Sequence, residues 1–88
     1  MMTRMLRASQ NDAGDRVTVR LEGRLVGPWV EELDRLASEL LAEHRALTLD
    51  LAELQFLGNE GAALLRDLVA RNVVLTNCSP FVMEQLRR

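Results

Sequence analysis

Leu47-Thr48-Leu49-Asp50-Leu51, followed by Leu54, Phe56 and Leu57 and then by Gly58-Asn59-Glu60-Gly61, is the stretch that decides the fold. Apolar and polar residues alternate from Leu47 to Leu51, the period-2 pattern of a strand packed on one face. A loop is expected to carry Leu54, Phe56 and Leu57 to the glycine-flanked turn. Beyond Gly61 the period lengthens. Leu64, Leu65, Leu68 and Val69 recur at helical spacing and form the expected buried stripe. Val73-Val74-Leu75 returns to a short β-branched run. Strand, helix and strand in that order favour parallel pairing through a right-handed crossover.

Upstream, Val17, Val19 and Leu21 alternate with Thr18, Arg20 and Glu22, predicting a second half-buried strand over Arg16–Leu21. The turn-forming run Asn11–Asp15 joins it to a weaker strand around Thr3–Ala8, giving an N-terminal hairpin. Gly27-Pro28 opens a helix, with Pro28 suited to the first helical position. Val30, Leu33, Leu36, Ala37, Leu40 and Leu41 form its buried stripe, and Trp29 is expected to fasten its first turn to the sheet. His44-Arg45 is expected to end it. Ser79-Pro80 caps a third helix, with Phe81 and Leu86 expected to point inward. The fold class is α/β: one small domain over residues 1–88, a mixed four-stranded sheet with an N-terminal hairpin, and all helices on one face.

Composition limits the functions available. Aliphatic residues must build the core, because Trp29, Phe56 and Phe81 are the only aromatics. A net charge of −2 gives no basic stripe for nucleic acid. Cys78 is the single cysteine, so no intrachain disulfide forms, which suits a reducing compartment. The N-terminal residues hold no apolar run of signal-peptide length, and no stretch approaches the ~20 apolar residues of a spanning helix. The chain is expected to be soluble and cytoplasmic, with no direct membrane insertion.

Three residues invite a chemical reading. His44 and Cys78 are each single and lie at the ends of different elements, whereas a nucleophile needs a base within hydrogen-bond reach. Asp50 is one carboxylate without a catalytic mate. Metal ligands are too few, and the glycines match neither Walker nor Rossmann spacing. The expectation is no enzyme, no metal and no cofactor.

The element order and three local strings resemble the STAS domain family, the sulfate-transporter and anti-sigma-factor-antagonist module. Val19-Arg20-Leu21-Glu22-Gly23-Arg24-Leu25 resembles its early strand and Gly-x-Leu turn. Leu47–Leu51 with Leu54, Phe56 and Leu57 resembles its central strand and following hydrophobic loop, and Leu75–Pro80 its late strand and Ser-Pro helix start. In the anti-sigma-factor antagonists that loop ends in Asp-Ser-Ser/Ala-Gly, and a partner kinase phosphorylates the first serine. Here Gly58 stands in the aspartate slot and Asn59, without a hydroxyl, in the acceptor slot, so no phosphoacceptor is expected. Glu60 either imitates one charge state of the switch, at about half the charge of a phosphate, or is simply a favourable first-turn acid beside an Asn59 N-cap.

The resemblance implies a partner-binding surface of Gly58, Asn59, Glu60, Gly61, Ala62, Leu65 and Arg66. It implies as partner a regulatory protein such as an anti-sigma factor or a serine-kinase-like protein. Two alternatives stand beside it: an accessory subunit of a lipid-transporting ABC assembly, and a nucleotide or other small-molecule sensor. The sequence ends at Arg88, where the family commonly continues. An uncovered sheet edge is therefore expected, and with it a homodimer.

Overall fold

The structure, a computed structural model, describes residues 6–87. Strand β1 (Leu6–Ala13) turns into β2 (Arg16–Leu25), and α1 (Pro28–Ala42) leads to β3 (Ala46–Leu57). Helix α2 (Asn59–Ala70), strand β4 (Val74–Thr76) and helix α3 (Pro80–Arg87) complete the chain. The sheet order is β1-β2-β3-β4. The β1–β2 pair is antiparallel, whereas β2–β3 and β3–β4 are parallel. The expected mixed sheet with an N-terminal hairpin and three helices is therefore present.

Alternation does what it implies on the two central strands. Val17, Val19 and Leu21 of β2 and Leu47, Leu49 and Leu51 of β3 are buried, while Arg16, Thr18 and Arg20 face solvent. Leu25, Leu57, Leu65, Leu68 and Val82 complete a core of fully buried side chains. Each such aliphatic is worth about 1.5–3 kcal/mol relative to exposure. Among the described residues no polar or charged side chain is buried with it.

The hairpin turn is tighter than the turn-rich run Asn11–Asp15 implied. Ala13 pairs with Arg16, leaving only Gly14 and Asp15 in the loop. Gly14 takes φ 68°, the positive value that a II′ turn needs at its first central position. Strand β1 therefore extends through Asn11 and Asp12. The expected residues Thr3–Met5 of this strand lie outside the described residues.

Strand β3 differs most from expectation. The loop foreseen for Leu54–Leu57 is strand, because two register shifts on the β2–β3 ladder each add one residue to β3. The exposed Ala52 and Gln55 are the added residues, so Leu51, Leu54 and Leu57 all turn inward although they are three apart. The first bulge carries its own support: Asp50 Oδ1 accepts from the Ala52 backbone N–H at 3.0 Å.

The helices need smaller corrections. His44 and Arg45 lie beyond the end of α1, with His44 at φ 59°. Arg45 instead staples the hairpin turn, its guanidinium 3.5 Å from Asp12 and from Glu43 and 3.3 Å from the Gly14 carbonyl. On α2 the buried stripe is Gly61, Ala62, Leu65 and Leu68; Leu64 is half-buried and Val69 is exposed. Ser79 caps α3 as expected, its Oγ accepting from the Val82 N–H at 3.2 Å. Phe81, however, is 46% exposed and Val82 takes the inward position. Phe81 instead lies 6.3 Å, centroid to centroid, from the ring of Phe56, which is 44% exposed.

Candidate functional site

Two parallel strands ending side by side, each followed by a helix, bring two helix N-termini together at one end of the sheet. In open α/β sheets ligands bind outside the carboxyl ends of the strands. Here β2 ends at Leu25 and β3 at Leu57, and these residues are register partners. The connections Val26-Gly27 and Gly58 flank a shallow hollow of about 270 Å³, lined also by Asn59, Glu60 and Gly61. Gly27 caps α1 and Gly58 caps α2, neither with a side-chain hydrogen bond. Asn59 is thus the first helical residue rather than the N-cap, which corrects the sequence expectation. First-turn N–H groups and the positive end of the α2 dipole face the hollow, and Glu60 adds a complementary carboxylate.

Gly61 is held there by close approach. A Cβ on it would lie 2.7 Å from the Leu25 carbonyl oxygen, 2.9 Å from Leu25 Cγ and 2.9 Å from Leu57 Cδ1. The absence of a side chain lets α2 settle directly on the end of β2. Gly61 is therefore the seat of the loop.

The seven residues expected at a partner surface separate into two groups. Asn59, Glu60 and Arg66 are exposed and Gly58 is half-exposed. Gly61, Ala62 and Leu65 point into the core, with Leu65 fully buried. Ala62 and Leu65 are thereby removed from any surface, because positions 62, 65 and 68 form the face that α2 packs on the sheet. Arg66 reaches α3, donating to the Gln85 and Leu86 carbonyls at 3.3 and 3.4 Å. Gln85 Nε2 donates to the Leu57 carbonyl at 2.8 Å. Through these bonds α3 braces both the body of α2 and the residue before Gly58.

Sequence reasoning missed Val26, Gly27 and Gln85. Gly27-Pro28 was legible only as a helix start; the parallel order of β2 and β3 was the signal that could have joined it to Gly58.

The three residues that invited a chemical reading stand apart. Asn77 Nδ2 donates to Asp50 Oδ1 at 3.0 Å, and this bond, the Ala52 N–H and the nearby Arg20 charge hold the Asp50 carboxyl below the usual carboxylate range against a small effect of burial. Asp50 thus ties the β3 bulge to the turn after β4. Burial pushes the Cys78 thiol up, keeping it protonated and a poor nucleophile at neutral pH. His44 precedes β3 and Cys78 follows β4, so the parallel strands put them at opposite ends of the sheet. Among the described residues no three His, Cys, Asp or Glu side chains gather as metal ligands. No helix among them is long and apolar enough to cross a membrane.

Comparison with known proteins agrees with this architecture. No curated protein matches the sequence significantly. Among solved structures, 13 chains match. One, described as "Structure of the Anti-Sigma Factor Antagonist SpoIIAA in its Unphosphorylated Form", superposes with a TM-score of 0.71 at 21% identity, over 92% of this chain and 82% of that one. Another, "Crystal Structure Analysis of Mglu", gives a TM-score of 0.67 at 23% identity over 77% of this chain. The present chain spans only 19% of the length of that protein. At such identities the likeness is one of fold. The family described as "Mlab, STAS domain" matches residues 8–88, from the hairpin through α3, and the chain belongs to that STAS family.

Proposed function

We propose that this chain is a non-catalytic STAS interaction module that binds a regulatory protein through Gly58, Asn59, Glu60 and the exposed side of α2 up to Arg66. The observation that supports it best is the hollow at the paired strand ends, where two glycine-capped helix starts meet with a single charged side chain, Glu60, on the lining. The unfilled N–H groups and the carboxylate together suit a partner offering a hydrogen-bond acceptor next to an arginine or lysine. The partner class is an anti-sigma factor or a serine-kinase-like protein, by likeness to the family's antagonists. Asn59 carries no hydroxyl, so on this reading binding is set by partner level rather than by phosphorylation at this position. The whole of residues 1–88 acts as one unit in the cytoplasm.

A second reading, an accessory subunit of a lipid-transporting ABC assembly, is favoured by one finding. The matched family carries the Mlab description rather than that of an anti-sigma-factor antagonist. The same experiment separates the two. Tagged wild type and Glu60→Arg are used to capture partners from the native cytoplasm, and the bound proteins are identified by mass spectrometry. A regulator retained by wild type and lost with Glu60→Arg supports the first reading. Transporter subunits retained equally by both support the second. If neither class is enriched over a tag-only control, the interaction module is the wrong reading.

A further inference from the structure

The outer strand β1 leaves a second surface open, at the opposite edge of the sheet from β4. Residues directly opposite on paired strands share a face. Ala8 pairs with Leu21, Gln10 with Val19 and Asp12 with Val17, so these three β1 residues point to the side that the helices cover. All three are nevertheless exposed, and only Leu6 of β1 is buried. Helix α1 lies over β2 and β3 and stops short of β1. Between α1 and β1 runs a cavity of about 310 Å³, with Leu6, Ala8, Trp29, Leu33 and Leu36 on its apolar lining. Its volume lies at the lower end of the range for binding clefts.

The α1 wall of this groove is acidic. Glu32 and Glu39 line it, and the single cation there, Arg35, is already paired with Glu32 at 2.6 Å. Glu39 has no ion pair among the described residues. The other wall is a strand edge: β1 bonds to β2 on one side and faces no strand on the other among the described residues. An apolar floor, an acidic wall and a free backbone edge together specify one kind of occupant.

We infer that this groove takes an extended segment of another protein, added as a strand beside β1, whose α1-facing side chains are apolar and basic in turn. Its backbone bonds to the free edge, as in strand addition generally. Every second side chain enters between β1 and α1, and the apolar ones among these pack against Trp29 and Leu36. Arginines or lysines two residues from the apolar ones, and so on the same face, meet Glu39 and Glu32. This surface is separate from the Gly58–Arg66 surface, and neither depends on the other.

Trp29 is the only tryptophan and lines the groove, so its fluorescence reports occupancy directly. The full chain is titrated with three eight-residue peptides, half serine: Leu and Arg alternating at every second position with Ser between them, the same residues as a Leu block, an Arg block and a Ser block, and Leu and Glu alternating in the first arrangement. The expected result is a saturable change in Trp29 emission with the alternating Leu/Arg peptide alone. Glu39→Arg lowers that affinity by about tenfold or more, and the Leu/Glu peptide gains affinity for the same variant. Circular dichroism confirms that Glu39→Arg is folded. No emission change, or an equal response to the block peptide, overturns the proposal. So does Trp29 emission that shifts with protein concentration alone while the mass by light scattering doubles, since the occupant is then a second copy of the chain.

Discussion

Gly61→Ala is the sharpest test of how the candidate site is built, because two effects of opposite sign compete at one atom. Gly61 lies in the first turn of α2 with an ordinary helical backbone. On propensity alone, alanine should stabilise the helix by up to about 1 kcal/mol. The added methyl, however, would sit 2.7 Å from the Leu25 carbonyl oxygen and 2.9 Å from two leucine side-chain carbons. The side chains can yield, but the carbonyl belongs to β2, whose position the β3 ladder fixes. Overpacking of this kind costs about 1–3 kcal/mol, and a backbone obstacle places the cost at the upper end. The net expectation is a loss of about 2 kcal/mol, which for a domain of this size lowers the Tm by roughly 10 °C. Thermal and urea denaturation followed by circular dichroism measure it. Gly58→Ala is the control: its Cβ would crowd a side-chain methyl, Val26 Cγ1, at 3.2 Å and meet the Leu25 carbonyl oxygen at an ordinary 3.8 Å, and its φ of −79° suits any residue. That variant should stay within about 1 kcal/mol of wild type, like most substitutions free of a named defect. If Gly61→Ala proves as stable as wild type, the close seating of α2 on Leu25 is not what requires glycine there.

Other substitutions probe the remaining parts. Val82→Ala should cost about 2 kcal/mol through a lost buried side chain and the cavity left behind, whereas Phe81→Ala, at a half-exposed site, should cost less than about 1 kcal/mol; equal effects in urea denaturation would contradict the placement of α3. Ser79→Ala removes the cap of that helix and should cost about 1 kcal/mol, measured the same way. Asp50 has a folded-state pKa below its unfolded value, so its contribution is present at neutral pH and is lost as pH falls below the usual carboxylate range. Asp50→Ala should therefore be less stable than wild type at pH 7, with the gap closing below about pH 4; a gap that is constant with pH would mean that the charged form is not what holds the bulge.

Much of this fold is legible in local pattern. The alternation of Val17–Leu21 and Leu47–Leu51, the Gly27-Pro28 helix start and the Ser79 cap each rest on a rule that operates within a few residues. Leu54–Leu57 did not read as strand because their spacing of three breaks the period of two. The break is absorbed by bulges that depend on the register with β2, which no single segment encodes. Phe81 misled because the start of a short helix needs an anchor, while the direction of α3 is set by its cap and by the Gln85 bond to Leu57. The candidate site was half visible. Its glycines and Glu60 stand out as punctuation, but Leu65 was expected both in the buried stripe and on the partner surface. A helix cannot turn one residue both ways, and burial decides it.

The two added residues of β3 also say something about how this chain can change over time. With Ala52 and Gln55 left out, the strand reads Leu51-Glu53-Leu54-Phe56-Leu57, a strict in–out alternation in which Glu53, Leu54, Phe56 and Leu57 pair one by one with Glu22 to Leu25. Losing either residue alone would remove its own bulge and leave the later residues paired as before, so Leu57, Gly58 and the start of α2 would keep their places. Losing both would make the ladder regular along its whole length. Length variation at this point of the strand should therefore be tolerated one residue at a time, provided that the residue lost is one of the two bulge residues and the inward leucines keep their partners.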